Sequence, residues 1–278
     1  MYFFPELGRA GRLGNQMFQL AALKALSLKN KSHAYIPEDL YTRTHDGQNC
    51  LLDNFKHNIP SIDPNECNHL KLFKEADNHL SVFDRRFLDI SGSMALHGHF
   101  ESELFFKECT EEIKSMYTFI DSIDAIATEY INSIKQKYPS KEIVGIHFRR
   151  GDYRETYETP HLFLTYIYYA RSLMFDDDKY TFLLFTGGNQ QKGNSNELDM
   201  NWCKQYIPNT LFCEVNDTIK DLAIMTKCDH MILTTKSTLG WWGAYLNKNS
   251  QKKIVVPRIS IGPTFNPDLF WPDEFIKV

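Results

Sequence analysis

The chain has 278 residues, 42% of them hydrophobic and 14% aromatic, which is enough for one large domain or two smaller ones. Its 31 lysine and arginine residues stand against 35 aspartate and glutamate residues, so the formal net charge is −4. This balance argues against nucleic acid as the main partner, and any site for an anion must be local.

The first half of the chain predicts an irregular α/β domain. Residues 14–29, GNQMFQLAALKALSLK, have the apolar spacing of a helix and follow a glycine-rich turn. Mixed loops rich in Pro, Asp and Asn come next, and a further apolar run occupies residues 94–100. Residues 110–137 predict one long helix, which ends before a Tyr-Pro-Ser turn. We therefore expect a first domain at 1–138 and a second at 139–278.

In the second half, short apolar runs alternate with segments of helical periodicity. The apolar runs lie at 143–148, 180–186, 211–215, 230–235 and 253–257, and the helical segments at 159–174, 198–207, 216–227 and 237–248. Strands buried on both faces read as continuous apolar runs, so the alternation predicts βαβ units with a parallel sheet and helices on both of its faces. Such sheets bind ligands beyond the carboxyl ends of their strands.

The six cysteines are scattered along the chain and form no Cys-x-x-Cys pair. In a chain of this size they predict buried free thiols in a reducing compartment. Pro5 and Glu6 interrupt the short aromatic patch at the N-terminus, which therefore lacks the apolar core of a signal peptide. No window approaches the ~20 apolar residues of a transmembrane helix. We expect a cytoplasmic or otherwise soluble protein, or a Golgi-lumenal one if the chain is part of a longer, anchored protein.

The run 143–148 ends in an unusual cluster of charge, HFRRGDY. Arg149 and Arg150 emerge where the strand ends, and strand alternation sends them to opposite faces. A guanidinium stays charged when partly buried, and its planar fork suits bidentate contact with phosphate oxygens. We expect one arginine to face a ligand and the other to pair internally, with Asp152 as a candidate partner. A purely structural ion-pair turn and an exposed Arg-Gly-Asp recognition loop are the alternatives.

Two further segments bring glycines or hydroxyls to the start of a helix. GRAGRLGNQMFQ (8–19) lets the backbone approach a ligand, although it matches neither a P-loop nor a dinucleotide fingerprint. In TTKSTLGWWGAYLN (234–247), Ser237 or Thr238 fits a helix N-cap at the same sheet edge as Arg149. Capping alone explains these hydroxyls, and a plain turn explains the glycines. The joint occurrence of an arginine and a helix N-terminus favours a phosphate or pyrophosphate site.

An Asp-x-Asp pattern, which can hold a divalent cation, occurs at Asp176-Asp177-Asp178. The three aspartates lie between a helical segment and the run 180–186, so we place them at the amino edge of the sheet, opposite the ligand edge. A solvated turn is the better interpretation. We therefore expect chemistry without a metal ion, in which Arg149 and a helix N-terminus neutralise the charge that develops on a pyrophosphate.

Four segments, GRLGNQMFQLAALKAL, GIHFRRGDY, NWCKQYI and KSTLGWWGAYLN, together resemble the α-1,2-fucosyltransferase family. The resemblance implies an inverting, metal-independent glycosyltransferase that moves fucose from GDP-fucose to the 2-hydroxyl of a galactose-terminated glycan. It also implies a GT-B-like α/β fold of two facing Rossmann-type domains with GDP-fucose between them. The domain at 1–138 would take the acceptor and carry the glycine-rich loop, and the domain at 139–278 would bind the nucleotide sugar.

The same resemblance gives individual residues roles. Arg149 would grip the β-phosphate of GDP, Asp152 would brace the motif, and Asn15 would face the fucose; these three form the implied catalytic set. His147 would help to seat the nucleotide, and the hydroxyls of the Ser-Thr pair would cap the pyrophosphate. The implied set for GDP-fucose binding is Gly14, Asn15, Gln16, His147, Arg149, Arg150, Ser237, Thr238 and Gly240.

The match departs from the bacterial pattern in the last motif, where Thr-Leu-Gly-Trp-Trp is closer to the animal form, and in a polar insert at 190–198. Two other functions stay open, namely a protein O-fucosyltransferase-like enzyme and a non-catalytic sugar-nucleotide or glycan-binding module. The general base is not assigned. Its candidates are Asp152, Glu155, Glu158, His99 and Glu101.

Overall fold

A computed structural model describes residues 1–76, 83–151, 160–187, 196–234, 236–258 and 266–278. The chain divides into two compact units. The first unit comprises the described residues of Met1–Ile120 and Gly262–Pro272, and the second comprises those of Asp121–Ile261 and Asp273–Val278. Each unit has a parallel sheet with helices, which confirms the α/β class.

The described strands and α-helices are numbered in chain order. The strands of the first unit are β1 (Tyr2–Phe3), β2 (Ala34–Pro37), β3 (Thr44–His45), β4 (Gln48–Asn49), β5 (Ser61–Ile62), β6 (Lys71–Lys74) and β7 (Met94–His97). Those of the second are β8 (Glu142–Arg149), β9 (Tyr180–Gly187), β10 (Thr210–Phe212), β11 (His230–Leu233), β12 (Ile254–Val256) and β13 (Ile276–Lys277). The α-helices are α1 (Leu13–Lys29), α2 (Thr110–Met116), α3 (Asp121–Lys137), α4 (Pro160–Met174), α5 (Asn196–Tyr206), α6 (Thr218–Met225), α7 (Thr238–Tyr245) and α8 (Pro267–Phe270). Among these helices, none combines the length and the apolar character that crossing a membrane requires.

The first unit is built on a parallel sheet of order β5-β2-β1-β7-β6, beside which β3 and β4 form a small antiparallel pair. Because β1 and β7 are neighbours and parallel, the segments that follow them reach the same sheet edge. An aromatic cluster supports this edge, with Phe100 packed edge-to-face on Phe4 and Phe105. Aromatic pairs of this kind contribute about 0.5–1.5 kcal/mol beyond the area that they bury.

The second unit is built on a parallel sheet of order β10-β9-β8-β11-β12-β13. On one face, Val144, Ile146 and Phe148 of β8 join a buried apolar cluster with residues of α4 and α5. On the other face, the apolar helix α7 buries both Trp241 and Trp242 completely. A helix that is apolar on all sides is stable only when it is covered on all sides, as α7 is here.

The segment 110–137, predicted as one helix, forms the two helices α2 and α3 instead. Between them, Ile120 N donates to Asn54 O (2.9 Å), and the ring of Phe119 lies 5.0 Å from that of Phe55. These contacts hold an extended stretch that local helix propensity did not reveal.

Helix α3 belongs to the second unit, where it packs on α6. Lys227 Nζ, just after α6, lies 2.8 Å from Asp124 Oδ1 of α3. The compact units therefore divide at Ile120/Asp121, upstream of the predicted boundary at 138/139.

Candidate functional site

The end of β8 presents two arginines to different faces of the second sheet. Arg149 alternates in phase with His147, and Arg150 with the buried Phe148. Arg150 is itself buried: its Nε lies 3.2 Å from Asp199 Oδ1, and its guanidinium lies 3.6 Å from the ring centroid of Trp202. One arginine thus pairs internally, as predicted, with Asp199 of α5 as its partner; Asp152 lies outside the described residues.

The turn after β8 is fastened by the same carboxylate. Gly151 N donates to Asp199 Oδ2 at 2.9 Å, while Gly151 has a φ of +41°. A positive φ is accessible to glycine at little cost, whereas a side chain would be strained there. Asp199 therefore fixes both the second arginine and the backbone that leaves the strand.

His147 is a buried, neutral imidazole on the α7 side of β8. Burial, together with the nearby positive charge of Arg149, lowers the pKa of His147 to about 3. The ring presses against Gly240, where an added Cβ would lie 2.7 Å from Nδ1. Nδ1 is buried and has no hydrogen-bond partner among the described residues. Gly240 is thus the residue that lets α7 approach the strand this closely.

Ser237 occupies the N-cap position of α7 but does not cap it. Its backbone is extended (φ −96°, ψ 116°), and its side chain makes no capping hydrogen bond. The hydroxyl oxygen is buried and, within the part of the chain that the structure describes, has no partner. Ser237 thus occupies the predicted N-cap position, but its hydroxyl does not cap the helix, so capping does not explain this hydroxyl. A buried polar group without a partner costs about 1–3 kcal/mol.

Together, His147, Arg149, Ser237, Thr238 and Gly240 form what we call the β8–α7 cluster. Since β8 and β11 are parallel neighbours, the end of β8 and the start of α7, which follows β11, share one sheet edge. A guanidinium, the N–H groups of a helix start and a buried hydroxyl are the groups that bind an oxyanion. The first turn of α7 contains no acidic residue to oppose this.

A second polar group, which we call the Asn15 cluster, lies in the first unit and consists of Asn15, Glu75, His99 and Glu101. Asn15 Nδ2, in the first turn of α1, donates to Glu101 Oε1 at 2.8 Å and lies 3.3 Å from His99 Nδ1. The side chains of Asn15, His99 and Glu101 are all partly exposed. The glycine-rich loop after β1 and the loop after β7 thus place three polar side chains together.

Glu75, which follows β6, holds the backbone of the loop after β7 by accepting hydrogen bonds from it. Its Oε2 accepts from His99 N (2.7 Å) and Phe100 N (3.0 Å), and an added Cβ on Gly98 would lie only 2.5 Å from the same oxygen. Burial raises the pKa of Glu75 to about 7, against an ordinary value near 4.5.

The glycine-rich loop is closed by the amides of α1. Gln16 Nε2 donates to Gly11 O (2.8 Å), and Gln19 Nε2 donates to Ala10 O (3.0 Å) and Gly98 O (3.1 Å). Gly14 and Gln16, both predicted to bind a ligand, therefore lie in the first turn of α1, and Gln16 holds the loop that precedes the helix.

The run Asp176–Asp178 lies between α4 and β9, at the amino edge of the second sheet, as predicted. Asp177 Oδ1 pairs with Arg171 (3.2 Å), and Asp176 lies 3.9 Å from Lys179. These residues line a cavity of about 740 Å³ that holds none of the predicted site residues. Over the described ranges, no three His, Cys, Asp or Glu side chains are grouped so that they could hold a metal ion.

Sequence reasoning missed Asp199 and Glu75. Asp199 opens a predicted helix and lies 49 positions from Arg150, so no local pattern links the two. Glu75 follows a strand of four residues whose burial pattern is mostly exposed, and such a strand gives little periodic signal. Glu155 and Glu158, like Asp152, lie outside the described residues.

Residues 6–170 and 194–264 match the sequence pattern of glycosyl transferase family 11. The chain belongs to glycosyl transferase family 11. Both clusters fall within the matched residues, so the family pattern covers the glycine-rich loop as well as the end of β8.

Galactoside α-(1,2)-fucosyltransferases are among the relatives of this family 11 chain. The type 1 protein of Rattus norvegicus is 27% identical over 255 residues, which are 85% of this chain and 61% of the rat protein. The type 2 protein of Mus musculus is 28% identical over 254 residues, which are 85% of this chain and 66% of the mouse protein. The chain thus spans less than two thirds of these relatives. The resemblance to the α-1,2-fucosyltransferase family is confirmed.

Solved fucosyltransferases share the fold. NodZ α-1,6-fucosyltransferase, soaked with GDP-fucose, gives a TM-score of 0.53 at 13% identity and covers 88% of this chain and 92% of NodZ. POFUT1 in complex with GDP gives 0.51 at 11% identity and covers 91% of this chain and 97% of POFUT1. Identities this low show likeness of fold alone. That likeness of fold confirms the GT-B-like α/β class.

We expect Glu75→Gln to change the pH dependence of stability. The folded protein keeps the proton of Glu75 up to about pH 7, whereas the unfolded chain releases it near pH 4.5, so the wild type loses stability as pH rises between these values. Between pH 4.5 and pH 8, the free energy of unfolding of the wild type should therefore fall by on the order of 2–3 kcal/mol more than that of Glu75→Gln. Denaturant titrations of both proteins at the two pH values test this, and parallel curves would contradict it.

Proposed function

We propose that this chain transfers fucose from GDP-fucose to the 2-hydroxyl of a galactose-terminated glycan, with inversion at the anomeric carbon and without a required metal ion. Family membership and the names of the relatives support the sugar and the linkage. The observation that carries the proposal is the β8–α7 cluster, in which Arg149 and the start of α7 occupy one sheet edge. Beside them lies the buried hydroxyl of Ser237, which has no partner among the described residues.

The second unit would bind the donor through that cluster. As the bond between fucose and GDP breaks, negative charge grows on the β-phosphate, and the sugar takes on oxocarbenium character. Arg149 and the N–H groups of α7 stabilise that charge, and the hydroxyl of Ser237 donates to a phosphate oxygen. Because these groups already lie at one edge, little reorganisation is needed during the reaction.

Arg150 would act differently from Arg149. Its guanidinium is buried between Asp199 and Trp202, so it holds the turn after β8 rather than the nucleotide. His147, neutral and buried, would help to seat the nucleotide by packing on Gly240 at the start of α7, while its backbone oxygen accepts from the hydroxyl of Thr234 at 3.1 Å. The first unit would bind the acceptor through the Asn15 cluster and the glycine-rich loop.

A product assay tests the acceptor and the metal together. The protein is incubated with GDP-fucose and a panel of β-galactosides and peptides, with and without EDTA, and the linkage is assigned by NMR. We expect α-1,2-linked fucosyl-galactosides at equal rates in both buffers, and Asp177→Ala within a few-fold of the wild type. Loss of transfer in EDTA that manganese restores would reverse the metal assignment, and products on peptides alone would reverse the galactoside assignment.

Nucleotide selectivity tests the donor. A ligand that binds only the folded protein at 100 times its Kd stabilises it by about 2.7 kcal/mol, or roughly 5 °C in a chain of this size. GDP should raise Tm by this order, and UDP by much less at the same concentration. Equal rises in Tm with GDP and UDP, measured by thermal melts, would contradict the assignment of a guanine nucleotide as the donor.

Substitution of the two arginines separates their roles. Arg149→Ala should lower kcat about 10²-fold with little change in Tm, because it removes about 3 kcal/mol of transition-state stabilisation. Arg149→Lys should recover little, since lysine lacks the bidentate fork. Arg150→Ala should lower both Tm and activity, because it leaves the carboxylate of Asp199 buried without its cation.

Kinetics and thermal melts on these variants decide between the roles, with the exposed Arg258→Ala as the control for loss of an arginine in the same unit. Near-normal turnover of Arg149→Ala would show that the phosphate role is wrong.

A further inference from the structure

We propose that Glu101 is the carboxylate that accepts the proton of the acceptor hydroxyl, and that Asn15 holds it in position for that step. The inference rests on the proposed function, which leaves the base unassigned. Its basis is the geometry of the Asn15 cluster, in which Asn15 Nδ2 lies 2.8 Å from Glu101 Oε1 and 3.3 Å from His99 Nδ1.

These two contacts orient the amide of Asn15. An ionised carboxylate only accepts hydrogen bonds, so the amide nitrogen of Asn15, and not its oxygen, faces Glu101. The same nitrogen lies 3.3 Å from His99 Nδ1, so Asn15 keeps the imidazole and the carboxylate side by side.

Glu75, the other carboxyl group of the Asn15 cluster, is unsuited to accept the proton of the acceptor hydroxyl. It is 4% exposed, and its Oε2 already accepts two backbone N–H groups. A carboxyl at this depth cannot reach a glycan hydroxyl without breaking the loop that it holds. Glu101 is partly exposed, and Asn15 Nδ2 donates to its Oε1.

The backbone around Glu101 is held before any ligand binds. Glu75 binds the N–H groups of residues 99 and 100, and Phe100 is completely buried with a φ of +54°. A non-glycine residue in this region is strained and persists only where its surroundings determine it. The two loops that carry Asn15 and Glu101 follow neighbouring strands, so both ends of the hydrogen bond are anchored to one sheet.

The step balances without a further reactant. The acceptor oxygen forms a bond to the anomeric carbon while the bond from that carbon to the β-phosphate oxygen breaks, and GDP leaves with the electron pair. The hydroxyl becomes strongly acidic as it bonds to the sugar, so a carboxylate can accept its proton late in the step. Glu101 takes the proton and afterwards releases it to water.

The test uses Glu101→Gln, which keeps the shape of the side chain and removes its basicity. With GDP-fucose and a galactoside, kcat should fall by about 10²-fold or more, and the acidic limb of the kcat–pH profile should disappear. The rise in Tm on adding GDP should match that of the wild type. Added formate should restore part of the transfer rate of Glu101→Ala, since a small carboxylate can occupy the space.

Glu103→Gln is the matched control. It removes a carboxylate two positions along, whose partner is Lys107 at 3.9 Å, and it should keep wild-type kcat and pH profile. The proposal is overturned if Glu101→Gln stays within about three-fold of wild-type kcat, or if the acidic limb survives the substitution. Transfer by the wild type in the same assay separates the two questions: an inactive wild type removes the proposed function and this inference together, whereas an active wild type with an unaffected variant removes only this inference.

Discussion

Strand β8 is the constraint on which the second unit depends. It is hydrogen-bonded on both edges, to β9 and β11, and most of its side chains are buried. At Gly145 even a Cβ would collide with the sulfur of Met231. Such a strand can carry charge only where it ends, because an unpaired ion farther inside would be desolvated at great cost. The same pleat sends Arg149 toward the α7 side and Arg150 toward the α5 side, so strand alternation separates an arginine at the ligand edge from one that braces the turn.

Both units fasten the backbone beyond a strand with a buried carboxylate. Asp199 receives the N–H of Gly151, and Glu75 receives the N–H groups of His99 and Phe100. Such hydrogen bonds remove conformational freedom from a segment that has left the hydrogen-bonded ladder of the sheet. The cost is visible in the raised pKa of Glu75, which burial disfavours as an ion. In each unit the carboxylate comes from a neighbouring element, so the polar edge depends on tertiary packing and not on local sequence.

The sequence predicted those parts of the fold in which one element provides its own signal. The long apolar strands β8 and β9, the helix α1 and the buried helix α7 carry continuous or periodic patterns, and each was found within a few residues of its place. The strands of the first unit have two to four residues, too few to show a period, and the break between α2 and α3 depends on contacts with residues near 54. In the site, the opposite faces of Arg149 and Arg150 follow from the pleat. The pairing of Arg150 with Asp199, and the failure of Ser237 to cap α7 with its hydroxyl, depend on tertiary contacts that sequence spacing does not reveal.

The six cysteines, all free and all buried, have a practical consequence. Burial raises the pKa of every one of these thiols, so little thiolate exists at neutral pH and maleimide reagents will react slowly with the native protein. A single cysteine placed at an exposed position, such as Glu66 in the first unit or Glu129 in the second, would then be the fast-reacting thiol. Either unit can therefore carry its own fluorophore or spin label without first replacing the native cysteines, and its response to added nucleotide can be followed separately.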